Sequence, residues 1–122
     1  MKKILIADDD RTLTRLLEKL LKDAGYETKI ANEGATTLRL VKEFRPDLVI
    51  LDIMMPIIDG YHICRTISED PEYSPAPKII VLTVRKDEWD KRISQFAGAD
   101  LFISKPFEPL DLLDKIRQII GS

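Results

Sequence analysis

The sequence predicts a doubly wound α/β domain built on a parallel sheet. Three observations carry that expectation. Short apolar runs recur along the chain and stop abruptly at polar residues. Between them, apolar residues fall at helical spacing. Five such strands alternate with five helices in 122 residues, about the length of one domain.

The first strand is Ile4-Leu5-Ile6-Ala7, which ends at Asp8-Asp9-Asp10. A continuous apolar run bounded in this way fits a strand buried on both faces. Leu13, Leu16, Leu17, Leu20 and Leu21 then mark one face of a helix. Asp9 or Asp10 can cap its start, and Gly25 stands where a C-terminal cap belongs. Glu27–Ala31 alternates weakly and reads as a second, less buried strand. Ala35, Leu38, Val41 and Phe44 mark the second helix, ended by Pro46.

Leu48–Leu51 is the clearest buried strand, and it ends at Asp52. A Pro56–Gly60 turn leads to a third helix through about Ser68. Asp70–Pro77 holds three prolines and reads as a loop. Lys78–Thr83 is a fourth strand. Trp89, Ile93, Phe96 and Ala97 share one face of a fourth helix, closed by Gly98. Leu101–Ser104 is a fifth strand, and Pro109 opens a last helix carrying Leu112, Leu113, Ile116, Ile119 and Ile120. Residues 1–122 are therefore expected to form one domain, with no repeat and no linker.

Composition narrows the function. Hydrophobic residues make up 44% of the chain and charged residues 33%, which suits a packed core rather than disorder. A net charge of -2 lacks the electrostatic footprint of direct nucleic-acid binding. Cys64 stands alone, so an internal disulfide and a multi-cysteine zinc site are excluded. The apolar stretches Leu48–Ile58 and Ile79–Val84 are too short to span a bilayer. Met1-Lys2-Lys3 runs straight into a strand without a signal-peptide cleavage site, so a cytoplasmic protein with no membrane partner is expected.

In open parallel sheets, ligands bind beyond the carboxyl ends of the strands. Here those ends carry Asp8-Asp9-Asp10, Asp52, Thr83 and Ser104-Lys105-Pro106. Asp52 is the sharpest signal, because its neighbours from Leu48 to Ile58 are almost all apolar. An ionised carboxylate there is costly unless it is paired or solvated, and further acids nearby raise the cost. A hard divalent cation removes it, and magnesium combines carboxylates, water and phosphate oxygens in this way. Asp8, Asp9 and Asp52 would balance a Mg²⁺ ion and the ammonium of Lys105. A carboxylate can also act as a nucleophile and form an aspartyl phosphate. Phosphoryl transfer asks mostly for positioning and charge neutralisation. A lysine can hold a phosphoryl oxygen as a point charge, and a threonine hydroxyl can donate to another.

Four motifs then stand together: ILIADDD, LVILDIMMPIIDG, IIVLT and GADLFISKPF. In this order, on this α/β pattern, the chain from Lys3 to about Ile120 resembles the CheY-like receiver domains of two-component response regulators. The resemblance implies a flavodoxin-like (βα)5 fold with strand order 2-1-3-4-5 and helices on both faces. It implies that Asp52 is the phosphoacceptor and that Asp8 and Asp9 hold Mg²⁺, joined by the backbone carbonyl of Met54. Thr83 matches the switch hydroxyl, Phe102 the aromatic switch position, and Lys105 the phosphate-gripping lysine. The Lys105–Pro106 bond is expected to be cis. The phosphoryl donor would be a histidine kinase or phosphotransfer protein. Phosphorylation would alter the face made by the fourth helix, fifth strand and last helix. The output would be a downstream protein or a fused domain, and the resemblance leaves open a homodimer formed on phosphorylation. Apart from this self-modification and its reversal, the domain is not expected to be an enzyme.

Val84 departs from the small residue usual after the switch threonine, and a branched side chain there narrows access to Asp52. By the same resemblance, Met54 and Arg85 occupy two positions that in the family tune how fast the phosphoryl group is lost. Met54 brings no polar group to orient water, which points to slow loss.

Each residue also has a plainer reading. Asp8–Asp10 could serve only as helix caps, and Asp52 could be a paired core acid. Thr83 suits any strand, Lys105 any solvated surface, and Phe102 any core. His62 reads as a surface or half-buried helix residue, Cys64 as a small packing residue and Trp89 as helix packing. The weight of the acids, Thr83 and Lys105 comes from their shared rim. Among other functions, an aspartate-nucleophile phosphatase usually carries a second acid two residues past the nucleophile, where Met54 stands. An FMN binder would carry a Ser/Thr/Gly phosphate loop where three aspartates stand. A docking-only pseudo-receiver would not need the complete set.

Overall fold

Side-chain alternation along each strand divides the apolar residues between two cores, one on each face of a sheet. The computed structural model describes residues 1–55, 60–84, 92 and 97–122. Its elements run β1 (Lys3–Ala7), α1 (Arg11–Asp23), β2 (Glu27–Ala31), α2 (Gly34–Phe44), β3 (Leu48–Leu51), α3 (Gly60–Glu69), a 3₁₀ turn (Pro71–Tyr73), β4 (Lys78–Thr83), β5 (Leu101–Ser104) and a C-terminal helix (Pro109–Ile120). The five strands are parallel, in the order β2-β1-β3-β4-β5. The fourth helix expected around Trp89, Ile93 and Phe96 lies outside the described residues, as does Arg85.

Leu5, Val49, Ile79 and Val81 face the helices α2 and α3, against Val41, Ile63, Cys64 and Ile67. Ile4, Ile6, Leu48, Ile50, Ile80 and Leu82 face the other way, onto Leu17 and Leu21 of α1 and Leu112 and Ile116 of the C-terminal helix. Helices on both faces follow from strands that are apolar on both sides. No helix among the described residues is long and apolar enough to cross a membrane.

The local rules are legible in the helix ends. Asp10, not Asp9, caps α1: its carboxylate accepts from the backbone N–H groups of Thr12 and Leu13, both at 3.1 Å. At the other end Gly25 has φ of +96°, its N–H donates to Lys22, and the N–H of Tyr26 donates to Leu21. These two bonds form a Schellman cap, which needs a left-handed residue and hence favours glycine. α2 closes at Arg45, with φ of 54°, one residue before Pro46.

Two buried stripes differ from the spacing read in the sequence. In α1, Thr14, Leu17 and Leu21 are buried, while Leu16 is 57% exposed. In α2 the buried residues are Gly34, Thr37, Leu40, Val41 and Phe44; Ala35 is exposed and Leu38 half-buried. Threonines stand in both inward stripes, where a hydroxyl can return a hydrogen bond to its own helix. Thr14 donates to the Arg11 carbonyl and Thr37 to that of Glu33. The proline-rich loop contains a 3₁₀ turn, buries Tyr73 and holds a cis Ser74–Pro75 bond.

Candidate functional site

The site is set by where the central strands stop. Ala7 of β1 pairs with Leu51 of β3, and the N–H of Asp52 donates to the Ala7 carbonyl at 3.0 Å. Asp8 and Asp52 are the next residues on each strand, so the ladder itself places the two acids side by side. Both are buried, at 4% and 7% exposure, whereas Asp9 is exposed. Carboxylate oxygens from Asp8, Asp9 and Asp52 lie within 4.8 Å of one another.

Each buried carboxylate is held at both oxygens. Asp8 accepts from the Asp10 backbone N–H at 2.9 Å and from Lys105 Nζ at 2.8 Å. Asp52 accepts from the Met54 backbone N–H at 2.9 Å and from the same Nζ at 3.2 Å. Lys105 therefore spans the two acids from the far side of the sheet, just beyond β5. Its backbone N–H donates to the Thr83 carbonyl at 2.7 Å, and the Lys105–Pro106 bond is cis.

Burial pushes the Asp8 carboxyl above its usual value, helped by the charge of Asp52 and opposed by the hydrogen bonds from Lys105 and Asp10. For Lys105 burial pulls the ammonium down. The hydrogen bond to Asp8 and the charges of Asp8 and Asp52 outweigh it, and the net shift is upward. One ammonium thus faces two carboxylates in a partly desolvated pocket, with the third acid at the mouth. The donor set is all hard oxygen, which fits a divalent ion such as magnesium and not a soft metal.

Thr83 is fully buried at the end of β4. Phe102 pairs in register with Val81, two residues before Thr83, so both lie on the α2/α3 face of adjoining strands. Phe102 is half-buried against that core. Met54 and Val84 are 49% and 56% exposed. Val84 lines an open groove of about 410 Å³ beside Lys105 and Pro106, with Leu13 and Leu16 of α1 opposite. His62 is exposed on α3, and Cys64 is buried beneath it in the core.

Two further residues shape the pocket, and neither stood out in the sequence. Gly60 opens α3 so close to the β3–α3 connection that a Cβ there would meet Ile53 Cα at 2.3 Å and the Asp52 carbonyl at 2.8 Å. Asn32, just past β2, donates from Nδ2 to the backbone carbonyl of Asp8 at 2.8 Å. Its signal was its place: a polar residue at a strand's carboxyl end, on the same rim as the acids.

Comparison with known proteins agrees with this geometry. Residues 4–117 match the family described as the response regulator receiver domain. The chain is 38% identical over 115 residues to the DNA-binding response regulator MtrA of Mycobacterium leprae, covering 94% of this chain and 49% of MtrA. It spans about half the length of the curated relatives it matches. Among solved structures, the chemotaxis protein CheY4 of Vibrio cholerae superposes with a TM-score of 0.89 at 28% identity, over 98% of each chain. A response regulator signal receiver domain from Bermanella marisrubri does so at 0.89 and 30% identity, over 97% of each chain. Carboxylates at the ends of β1 and β3, a lysine reaching both from the end of β5, and this match along nearly the whole sequence lead to one assignment: the chain belongs to the response regulator receiver domain family.

Proposed function

We propose that residues 1–122 act as one phosphoacceptor receiver domain in which Asp52 takes a phosphoryl group from a partner's phosphohistidine. The observation that supports this most directly is the meeting of Asp8, Asp9 and Asp52 with Lys105 between two of them. An oxygen of Asp52 bonds to phosphorus while the donor's P–N bond breaks and its electron pair leaves on the imidazole nitrogen. Asp8, Asp9, Asp52 and the Met54 carbonyl would hold Mg²⁺, which supplies charge neutralisation for the phosphoryl oxygens. Lys105 holds one phosphoryl oxygen, and the Thr83 hydroxyl donates to another.

The aspartyl phosphate carries about one more negative charge than the aspartate it replaces. Thr83 follows the new oxygens, and Phe102, on the same sheet face, shifts with it. The surface around β5 and the C-terminal helix then changes its partner preference, within the limit set by its affinity for the two states. The chain's own catalysis is confined to gaining and losing this group.

A histidine kinase or phosphotransfer protein fits as donor. Leu16, Met54 and Val84 are large, exposed and apolar, and two of them line the groove next to Lys105. Such a patch beside the acceptor suits a protein partner more than a free metabolite. The output is a downstream protein or an attached domain, and the setting is the cytoplasm. A phosphatase acting on free esters is not favoured, because Met54 stands where a second acid would protonate the leaving group.

The test is intact mass after incubation with acetyl phosphate, with and without Mg²⁺. The expected result is one phosphoryl group, dependent on Mg²⁺, in the wild type and none in Asp52→Asn. Labelling that persists in Asp52→Asn would move the acceptor elsewhere.

A further inference from the structure

We infer that Asn32 is a positioning residue for the metal site, holding the peptide that joins Asp8 to Asp9. The inference rests on the proposed Mg²⁺ site. The ladder between β1 and β2 runs regularly through Ala7 and Ala31. Asp8 N–H donates to Ala31, as in a regular parallel pair. In that pattern the next rung would run from the N–H of residue 33 back to the Asp8 carbonyl. Glu33 instead stands at the N-terminus of α2, with its own carbonyl accepting from Thr37. The Asp8 carbonyl receives the side-chain amide of Asn32, at 2.8 Å. A carbonyl accepts only a donor, so the NH₂ end of the amide must face it.

The side chain therefore replaces a backbone rung at the point where the strands separate. The group it holds is a planar peptide whose carbonyl belongs to Asp8 and whose nitrogen belongs to Asp9. Fixing that plane fixes the two Cα atoms from which the side chains depart and narrows the directions that they can take. With the plane held, Asp8 is aimed by the Asp10 N–H and Lys105. Asp9 is exposed, and the peptide held by Asn32 limits where its side chain starts. Partners of this kind, one step behind the ligands, commonly govern metal affinity.

The experiment is calorimetric titration of the full chain with Mg²⁺, for wild type, Asn32→Ala and the near-isosteric Asn32→Leu, with folding checked by circular dichroism. The dissociation constant should rise about tenfold in either folded variant. Labelling by acetyl phosphate should need correspondingly more Mg²⁺ yet reach the wild-type extent. A constant within about twofold of wild type in a folded variant would overturn the inference, whatever happens to melting temperature. A wild type that binds no Mg²⁺ would overturn the site itself, and this inference with it.

Discussion

Lys105 Nζ lies 2.8 Å from Asp8 Oδ2, joining residues 97 positions apart in the chain across the crest of the sheet. The same ammonium reaches Asp52 at 3.2 Å, so a single cation holds two buried acids. In a Mg²⁺-containing buffer Lys105→Ala should still fold and still accept a phosphoryl group, because the proposed nucleophile Asp52 and the acids proposed to hold the metal remain. It should lose the response, read as the change in amide exchange around Thr83 and Phe102 on phosphorylation. A labelled variant that changes as wild type does would strip Lys105 of its assigned part.

Burial raises the Asp8 carboxyl above its unfolded value of 3.8. The stability tied to such a group is present below the unfolded value and is lost as pH rises through the folded value. Removing the ionisable oxygen removes that loss. Without divalent ion, Asp8→Asn should therefore gain on wild type in urea midpoint as pH climbs from about 3 to 7. A difference that stays flat over the range would contradict the burial cost. Mg²⁺ should narrow the gap by stabilising wild type.

Gly60 cannot carry a side chain without moving the segment behind Asp52, since its Cβ would sit 2.3 Å from Ile53 Cα. Both obstructing atoms are backbone, so no rotamer change relieves the clash. Gly60→Ala should cost about 1–3 kcal/mol in denaturant unfolding. It should also slow Mg²⁺-dependent labelling. A cost below about 0.5 kcal/mol would mean that the connection yields freely.

Asp10 caps α1 with two accepted hydrogen bonds. Asp10→Ala should lower stability by about 1 kcal/mol, and Asp10→Asn by less, because asparagine keeps the acceptor. Equal losses in the two variants would point instead to the charge at the helix start.

Cys64 is fully buried, and burial pushes its thiol up to about 12. Thiolate is the reactive form, so a disulfide reagent at about pH 8 should leave the native chain untouched. Denaturant should release one thiol per chain. Rapid labelling of the folded protein would show that α3 opens readily.

The fold was legible because four of its five strands hold short, continuous apolar runs, only β2 being mixed, and every strand is followed by or ends in a polar group. The acids, Thr83 and Lys105 could be placed on one rim from topology alone. The contacts between them could not, since they depend on which rotamers a distant lysine adopts. Spacing also overstated the role of Leu16 and missed Thr14 and Thr37, because a threonine can bury its methyl group while its hydroxyl bonds to the preceding turn. Asn32 follows the least buried strand, and its amide reaches the Asp8 carbonyl across 24 positions of sequence, a contact that spacing does not display. Gly60 read as a turn residue, and only the packed structure shows the backbone pressed against it.

Ala7 and Leu51 are partners in register, and each is followed at once by an acid. The gap between those acids is thus dictated by hydrogen-bond rungs and not by any loop. Inserting a single residue into β1 or β3 would swing every later side chain of that strand to the opposite face and carry its acid away. Extra residues in the connection from Ser74 to Pro77, at the other end of the sheet, would leave the spacing intact. Descendants of this chain are accordingly free to diversify at its base while the lengths of two short strands stay frozen.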